Sequence, residues 1–128
     1  MEGHKISFRV YYEDTDSGGV VYYANYLKFA ERARTEMLRK VGINQSEEDI
    51  LFVVNKVDME LKKPARLDDL LEIESIIEKI SSASLDINQY IYKDSIMISE
   101  LKIKIACVSK EFKPVRIPNK IKNKLNLV

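Results

Sequence analysis

Apolar and polar residues alternate in several short stretches of the chain and follow a three-to-four spacing in one long stretch. Ile6, Phe8 and Val10 alternate with Ser7 and Arg9, which predicts a first strand from about Lys5 to Tyr12. A polar, glycine-bearing loop follows. Tyr26, Ala30, Ala33, Met37 and Val41 then recur at helical spacing, widened by Leu27 and Leu38, and predict a helix from about Ala24 to Val41. Arg32 with Glu36 and Glu36 with Lys40 stand four apart on its outer face, and Gly42 is a natural stop. Asn44 to Ile50 reads as a polar connection with room for a helical turn. Four strand-like segments come next: Val53 to Leu61, Leu71 to Glu78, Leu85 to Ile91 and about Ile96 to Lys110. The short gaps at Ser81–Ser84 and Lys93–Ser95 suit hairpins, and the segments after the helix read as a four-strand meander.

Each strand is apolar on one face only, the mark of an antiparallel sheet with one covered face. A single amphipathic helix leaves one sensible packing, with the sheet curled around it. The fold class is therefore α+β, about five antiparallel strands wrapped around one long central helix. With 128 residues, positions 1–128 read as one domain with a basic C-terminal segment from about residue 110. One helix covers little sheet, so leftover apolar surface and open strand edges favour a homo-oligomer.

Composition narrows the chemistry. With 4 Gly and 3 Pro and no low-complexity bias, the chain is neither disordered nor collagen-like. No apolar run approaches the ~20 residues of a membrane span, and the polar start does not read as a secretory leader, so the cytoplasm is the expected compartment. There is one histidine, His4, and one cysteine, Cys107. A structural zinc site needs about four such ligands, and a His-based triad would rest on His4 alone, so no metal or other cofactor is expected. Cys107 shares a period of two with Leu101, Ile103 and Ile105 and should point into the core.

Charge changes the picture only at one end. The chain carries a net charge of +1, yet from Lys110 onward Lys110, Lys113, Arg116, Lys120, Lys122 and Lys124 face one acid, Glu111. Such a segment suits phosphates, an acidic partner or a membrane surface. The spacing of Ile117, Ile121, Leu125 and Val128 also fits an amphipathic helix whose lysines simply face water.

The segment with chemical potential is YYEDTDSGGVVYYANY, Tyr11 to Tyr26, where Glu13, Asp14 and Asp16 crowd a strand-to-helix loop. A calcium loop starting at Asp14 would put Asn25 at its twelfth position, where a bidentate Glu belongs. An aspartyl phosphotransferase needs a parallel sheet, and a phosphate loop needs a Lys-Ser/Thr pair that Gly18-Gly19-Val20-Val21 lacks. Acyl chemistry remains, with Asp16 as nucleophile or general base and the helix amides polarising a carbonyl oxygen. On the residues alone, the alternative that these aspartates only cap turns stays open.

The segment RVYYEDTDSGGVVYYANYLKFAERARTEML, continued by FVV at Phe52–Val54 and PARLDDLLEI at Pro64–Ile73, resembles the 4-hydroxybenzoyl-CoA thioesterase-like hotdog family. Within it the chain is most similar to the Tol-Pal-associated (YbgC-like) acyl-CoA thioesterases. The resemblance implies an acyl-CoA thioester hydrolase in which Asp16 attacks the thioester carbonyl or activates water. It also implies that the Tyr23 backbone N–H donates to the thioester oxygen. Gly18 and Gly19 would let the loop approach the substrate. Tyr12 would orient the carboxylate or line the pocket, with a core-edge aromatic as the alternative. Arg66, Lys79 and Ser84 are implied for the coenzyme A phosphates, contributed by a neighbouring subunit. The YbgC-like branch usually has histidine where this chain has Tyr23, which removes any help from an imidazole. Glu31, on the helix, is assigned to an ion pair with Arg32 or Arg34.

The sequence therefore points to a cytoplasmic acyl-CoA thioesterase, a homodimer or homotetramer. Acyl carrier protein is a further candidate partner, and neither nucleic acid nor an integral membrane segment is expected. The alternative from another class is a non-hydrolytic acyl-CoA or acyl-carrier-protein binding module in lipid or envelope metabolism.

Overall fold

The computed structural model describes residues 3–44 and 49–128. Strand β1 (His4–Arg9) leads through a single 3-10 turn at Tyr12–Asp14 into helix α1 (Tyr23–Lys40). Strands β2 (Ile50–Leu61), β3 (Leu70–Ile80), β4 (Ser84–Lys93) and β5 (Ile96–Ser109) follow, then a short helix α2 (Asn119–Leu125). The strands form one antiparallel sheet in the order β1-β3-β4-β5-β2. Helix α1 lies across its inner face. Most of the polar connection expected at Asn44 to Ile50 lies outside the described residues.

The topology corrects one expectation. Only β3, β4 and β5 form a meander, while β2 crosses over to pair with β5 and β1 takes the place beside β3. The connection from Lys62 to Asp69 is too long for a tight hairpin, and it traverses the end of the sheet instead. The first strand also ends earlier than its alternation suggests, at Arg9 rather than Tyr12. The Asp14 carboxylate accepts the Tyr11 amide at 2.8 Å and curls the chain into the 3-10 turn.

Burial follows the two periodicities. Tyr26, Phe29, Ala30, Ala33, Met37 and Leu38 of α1 are buried against Leu71 and Ile73 of β3, Leu85, Ile87 and Ile91 of β4, and Leu101 and Ile103 of β5. Cys107 is fully buried, and burial pushes its thiol up. Ile117, Ile121 and Leu125 join the same core, so the amphipathic reading of the C-terminal segment holds. Gly42 at φ +79 ends α1 in the left-handed conformation, and the Ile43 amide closes the turn onto the Leu38 carbonyl at 2.9 Å. The Lys124 ammonium adds a bond to the Gly42 carbonyl at 2.9 Å.

A buried polar seam crosses this core. Gln89 of β4 donates to the Ala30 carbonyl at 2.8 Å and to Ser75 Oγ of β3 at 2.9 Å, and accepts from Arg34 Nη1 at 2.9 Å. Arg34 is buried, which lowers its pKa, with Glu31 acting in the opposite direction. The surface pairs differ from expectation too. Glu36 pairs with Arg39, three residues away, rather than with Arg32 or Lys40. The Arg34 guanidinium turns inward to Gln89, so its hydrogen bond goes to an amide and not to Glu31.

Candidate functional site

The strand-to-helix loop is shaped by short side chains that catch backbone amides. Asp14 is buried: one carboxylate oxygen accepts from the Tyr11 amide and the other from Asn25 Nδ2 at 3.1 Å. Its carbonyl accepts the Tyr22 amide at 2.9 Å, so one residue ties the end of β1 to the start of α1. Asp16, two residues on, is exposed. Its Oδ1 accepts from the Gly18 amide at 2.8 Å, its carbonyl accepts the Gly19 amide at 3.1 Å, and its own amide donates to the Val20 carbonyl at 2.9 Å. Gly19 holds φ +77, a conformation that glycine adopts without strain. A Cβ at Gly18 would lie 3.3 Å from Asp16 Oδ1, so a side chain there would crowd the carboxylate.

The loop is clamped from the other side by the segment after β2. Val20 bridges Arg66, and the Val21 amide donates to the Ala65 carbonyl at 2.8 Å. The Ala65 amide in turn donates to the Tyr26 hydroxyl at 3.0 Å, and burial of that phenol raises its pKa. Asp69 Oδ2 accepts the Arg66 amide at 2.8 Å and pairs with Lys93 at 3.0 Å. The clamp therefore rests on α1 itself.

Helix α1 begins at Tyr23, with Tyr22 as its cap residue. Among the described residues no side chain caps this terminus, and the first turn holds no acid. The Tyr23 amide has no acceptor within the helix and carries the partial positive charge of the dipole. The Tyr22 and Tyr23 rings lie 4.9 Å apart, and the Tyr22 hydroxyl is held above its ordinary pKa, first by its hydrogen bond with Tyr23. Tyr12 is 82% exposed, which overturns a core-edge role for its ring.

Asp16, Gly18, Gly19, Tyr12, Tyr23 and Arg66 thus gather at one end of the sheet. Lys79 and Ser84 do not. Lys79 stands nine residues along β3 from Leu70, about 30 Å at the usual strand rise. Two features escaped the sequence reading: the part that Asn25 and Tyr26 play in holding the loop, and a groove of about 250 Å³ beside it. That groove is lined by Val20, Val21, Tyr26, Leu61, Lys62 and Lys63. Its only sequence signal is the Lys62-Lys63-Pro64 junction after a strand.

The profile of the family described as "Thioesterase superfamily" matches residues 18–100. The chain belongs to the thioesterase superfamily. It is 41% identical over 125 residues to the "Acyl-CoA thioesterase YbgC" of Haemophilus influenzae, covering 94% of this chain and 92% of that protein. It is 45% identical over 118 residues to the "Acyl-CoA thioester hydrolase YbgC" of Escherichia coli, covering 88% of each. The solved structure of a probable thioesterase from Bartonella henselae superposes with a TM-score of 0.87 at 38% identity, covering 91% of this chain and 99% of that one. The hotdog architecture expected from the sequence is thus the one this chain and its structural relatives share.

Proposed function

We propose that the chain hydrolyses acyl-CoA thioesters at the Asp16 loop. The observation that carries this is the placement of an exposed, amide-anchored carboxylate on a loop clamped to an uncapped helix N-terminus. A thioester carbonyl oxygen seated at the Tyr23 amide would gain negative charge in the transition state where the dipole is positive. In the general-base route Asp16 takes a proton from water as its oxygen attacks the carbonyl carbon. The carbon–sulfur bond breaks, and the proton passes to the departing thiolate, giving free acid and coenzyme A. In the nucleophilic route the carboxylate attacks first and water then cleaves the mixed anhydride. Single turnover in ¹⁸O water identifies the second when water attacks the aspartyl carbon of the anhydride, because label is then left in Asp16.

Tyr12, Gly18 and Gly19 line the approach to this carboxylate, and Arg66 stands beside it. Lys79 and Ser84 serve the coenzyme A phosphates from a second copy, since the strand length keeps them from their own loop. The second copy pairs along β2, an edge strand with Val54, Val57 and Leu61 exposed, giving a homodimer or a homotetramer built from it. Acyl carrier protein is a further acyl donor for the same site, and the cytoplasm is its compartment.

The test is thiol release from a panel of acyl-CoAs by the protein and by Asp16→Asn. Turnover of at least one acyl-CoA, lost in the variant, is expected. Tight binding without turnover across the panel would make the chain a binding module instead.

A further inference from the structure

The end of the molecule opposite the Asp16 loop carries a feature that thioester hydrolysis does not use. After β5 the chain turns at Ser109–Lys113, where the Phe112 amide donates to the Ser109 carbonyl at 2.9 Å and the Ser109 amide to the Lys113 carbonyl at 2.8 Å. Phe112 sits in the turn at φ +62, a left-handed conformation that favours glycine, and the residue is 68% exposed. Its neighbours in the chain are Glu111 and Lys113, with Lys110 before the acid, so two cations and one exposed carboxylate surround it. The chain then returns along β5 through the Val108–Pro114 bridge and docks on the β3–β4 hairpin, the Ile117 amide donating to the Ser82 carbonyl at 2.8 Å. Arg116, Lys120 and Lys122 are exposed on this returning segment and on α2, while Ile117, Ile121 and Leu125 face inward. Leu127, 74% exposed, is the second large apolar side chain presented here.

We propose that this face docks on an anionic lipid bilayer, with Phe112 entering the headgroup–acyl boundary and the surrounding cations meeting lipid phosphates. A free phosphate or an acidic protein would account for the lysines. Neither accounts for an aromatic ring held out on a turn where glycine would be relaxed. A bilayer satisfies both, because each basic group near an anionic surface raises binding about fivefold and an apolar ring gains from leaving water.

The experiment is sedimentation of the full chain with vesicles of phosphatidylcholine alone or mixed with phosphatidylglycerol. Binding to the mixed vesicles only, weakening as salt rises, is expected. Phe112→Gly should bind on the order of tenfold less tightly while melting at the same or a higher temperature, since glycine relaxes the turn. Lys110→Gln with Lys113→Gln should bind about 25-fold less tightly. Hydrolysis of soluble acyl-CoA without vesicles should be unchanged in both. Absence of vesicle binding, or binding indifferent to Phe112→Gly, overturns the proposal. So does a raised acyl-CoA KM in the lysine variant, which would assign the cations to substrate phosphates. Binding of polyglutamate but not of vesicles would assign the face to an acidic protein.

Discussion

The two ends of α1 are built by different physics. At its N-terminus three carboxylates, Asp14, Asp16 and Asp69, each accept a backbone amide, from Tyr11, Gly18 and Arg66, and these bonds set the path of the chain. At its C-terminus the geometry comes from apolar seats, with Ile117, Ile121 and Leu125 pressed into the core and lysines left outside. The first kind of construction fixes individual atoms and suits chemistry. The second fixes a surface, with its cations on the outer side.

The contrast is most directly broken at Asp16. Asp16→Asn should lower thioester hydrolysis by roughly 10²–10⁴-fold with little change in melting temperature, as read by thiol release and calorimetry. At the other end Ile121→Ala should destabilise the fold by about 3 kcal/mol in urea titration while sparing the catalytic rate of the folded protein. Asp14→Ala combines the two effects. It leaves the Tyr11 amide and the Asn25 amide group without their acceptor, so a loss of about 2 kcal/mol should accompany weaker hydrolysis.

His4 gives a smaller effect with a defined sign. Its pKa lies below the ordinary 6.5, chiefly through burial and then through Lys40, with Glu36 opposing, and Nδ1 is buried without a hydrogen-bond partner among the described residues. The unfolded chain therefore binds the proton more readily. Stability should be full above about pH 6.5 and fall as pH drops through that value, and His4→Phe should flatten the change in denaturation midpoint with pH. The smallest effect is at Lys124. Lys124→Met removes the cation from the Gly42 carbonyl at the end of α1 and should cost about 0.5 kcal/mol in the same titration.

What could be read from the sequence follows the same division. Helix α1 was expected from Ala24 to Val41 and spans Tyr23–Lys40, because burial of Tyr26, Ala30, Ala33 and Met37 obeys one period. The C-terminal seat at Ile117, Ile121 and Leu125 was legible for that reason. In the loop, residue types alone show a cluster of acids with capping as an open alternative, and the family resemblance is what singles out Asp16 and the Tyr23 amide. Which of Asp14 and Asp16 turns inward depends on Asn25, eleven residues beyond Asp14 and invisible to local pattern. The place of β2 was missed because alternation says which face of a strand is buried and nothing about its neighbour. Gln89 did leave a trace: it falls in phase with Leu85, Ile87 and Ile91, a polar residue on an inward face.

The seam at Gln89 works as an index pin. It engages the Ala30 carbonyl about two turns along α1 from Tyr23, and it is itself held by Ser75 on the neighbouring strand. A one-residue slip of the rod would move its tip by about 1.5 Å along the axis and turn it by about 100°, and the pin would no longer fit. The aim of the Tyr23 amide is thus set from mid-span, as the muzzle of a barrel is set by its mount. Loosening the mount, by Gln89→Ala for instance, is expected to blur alignment at a place the change never touches.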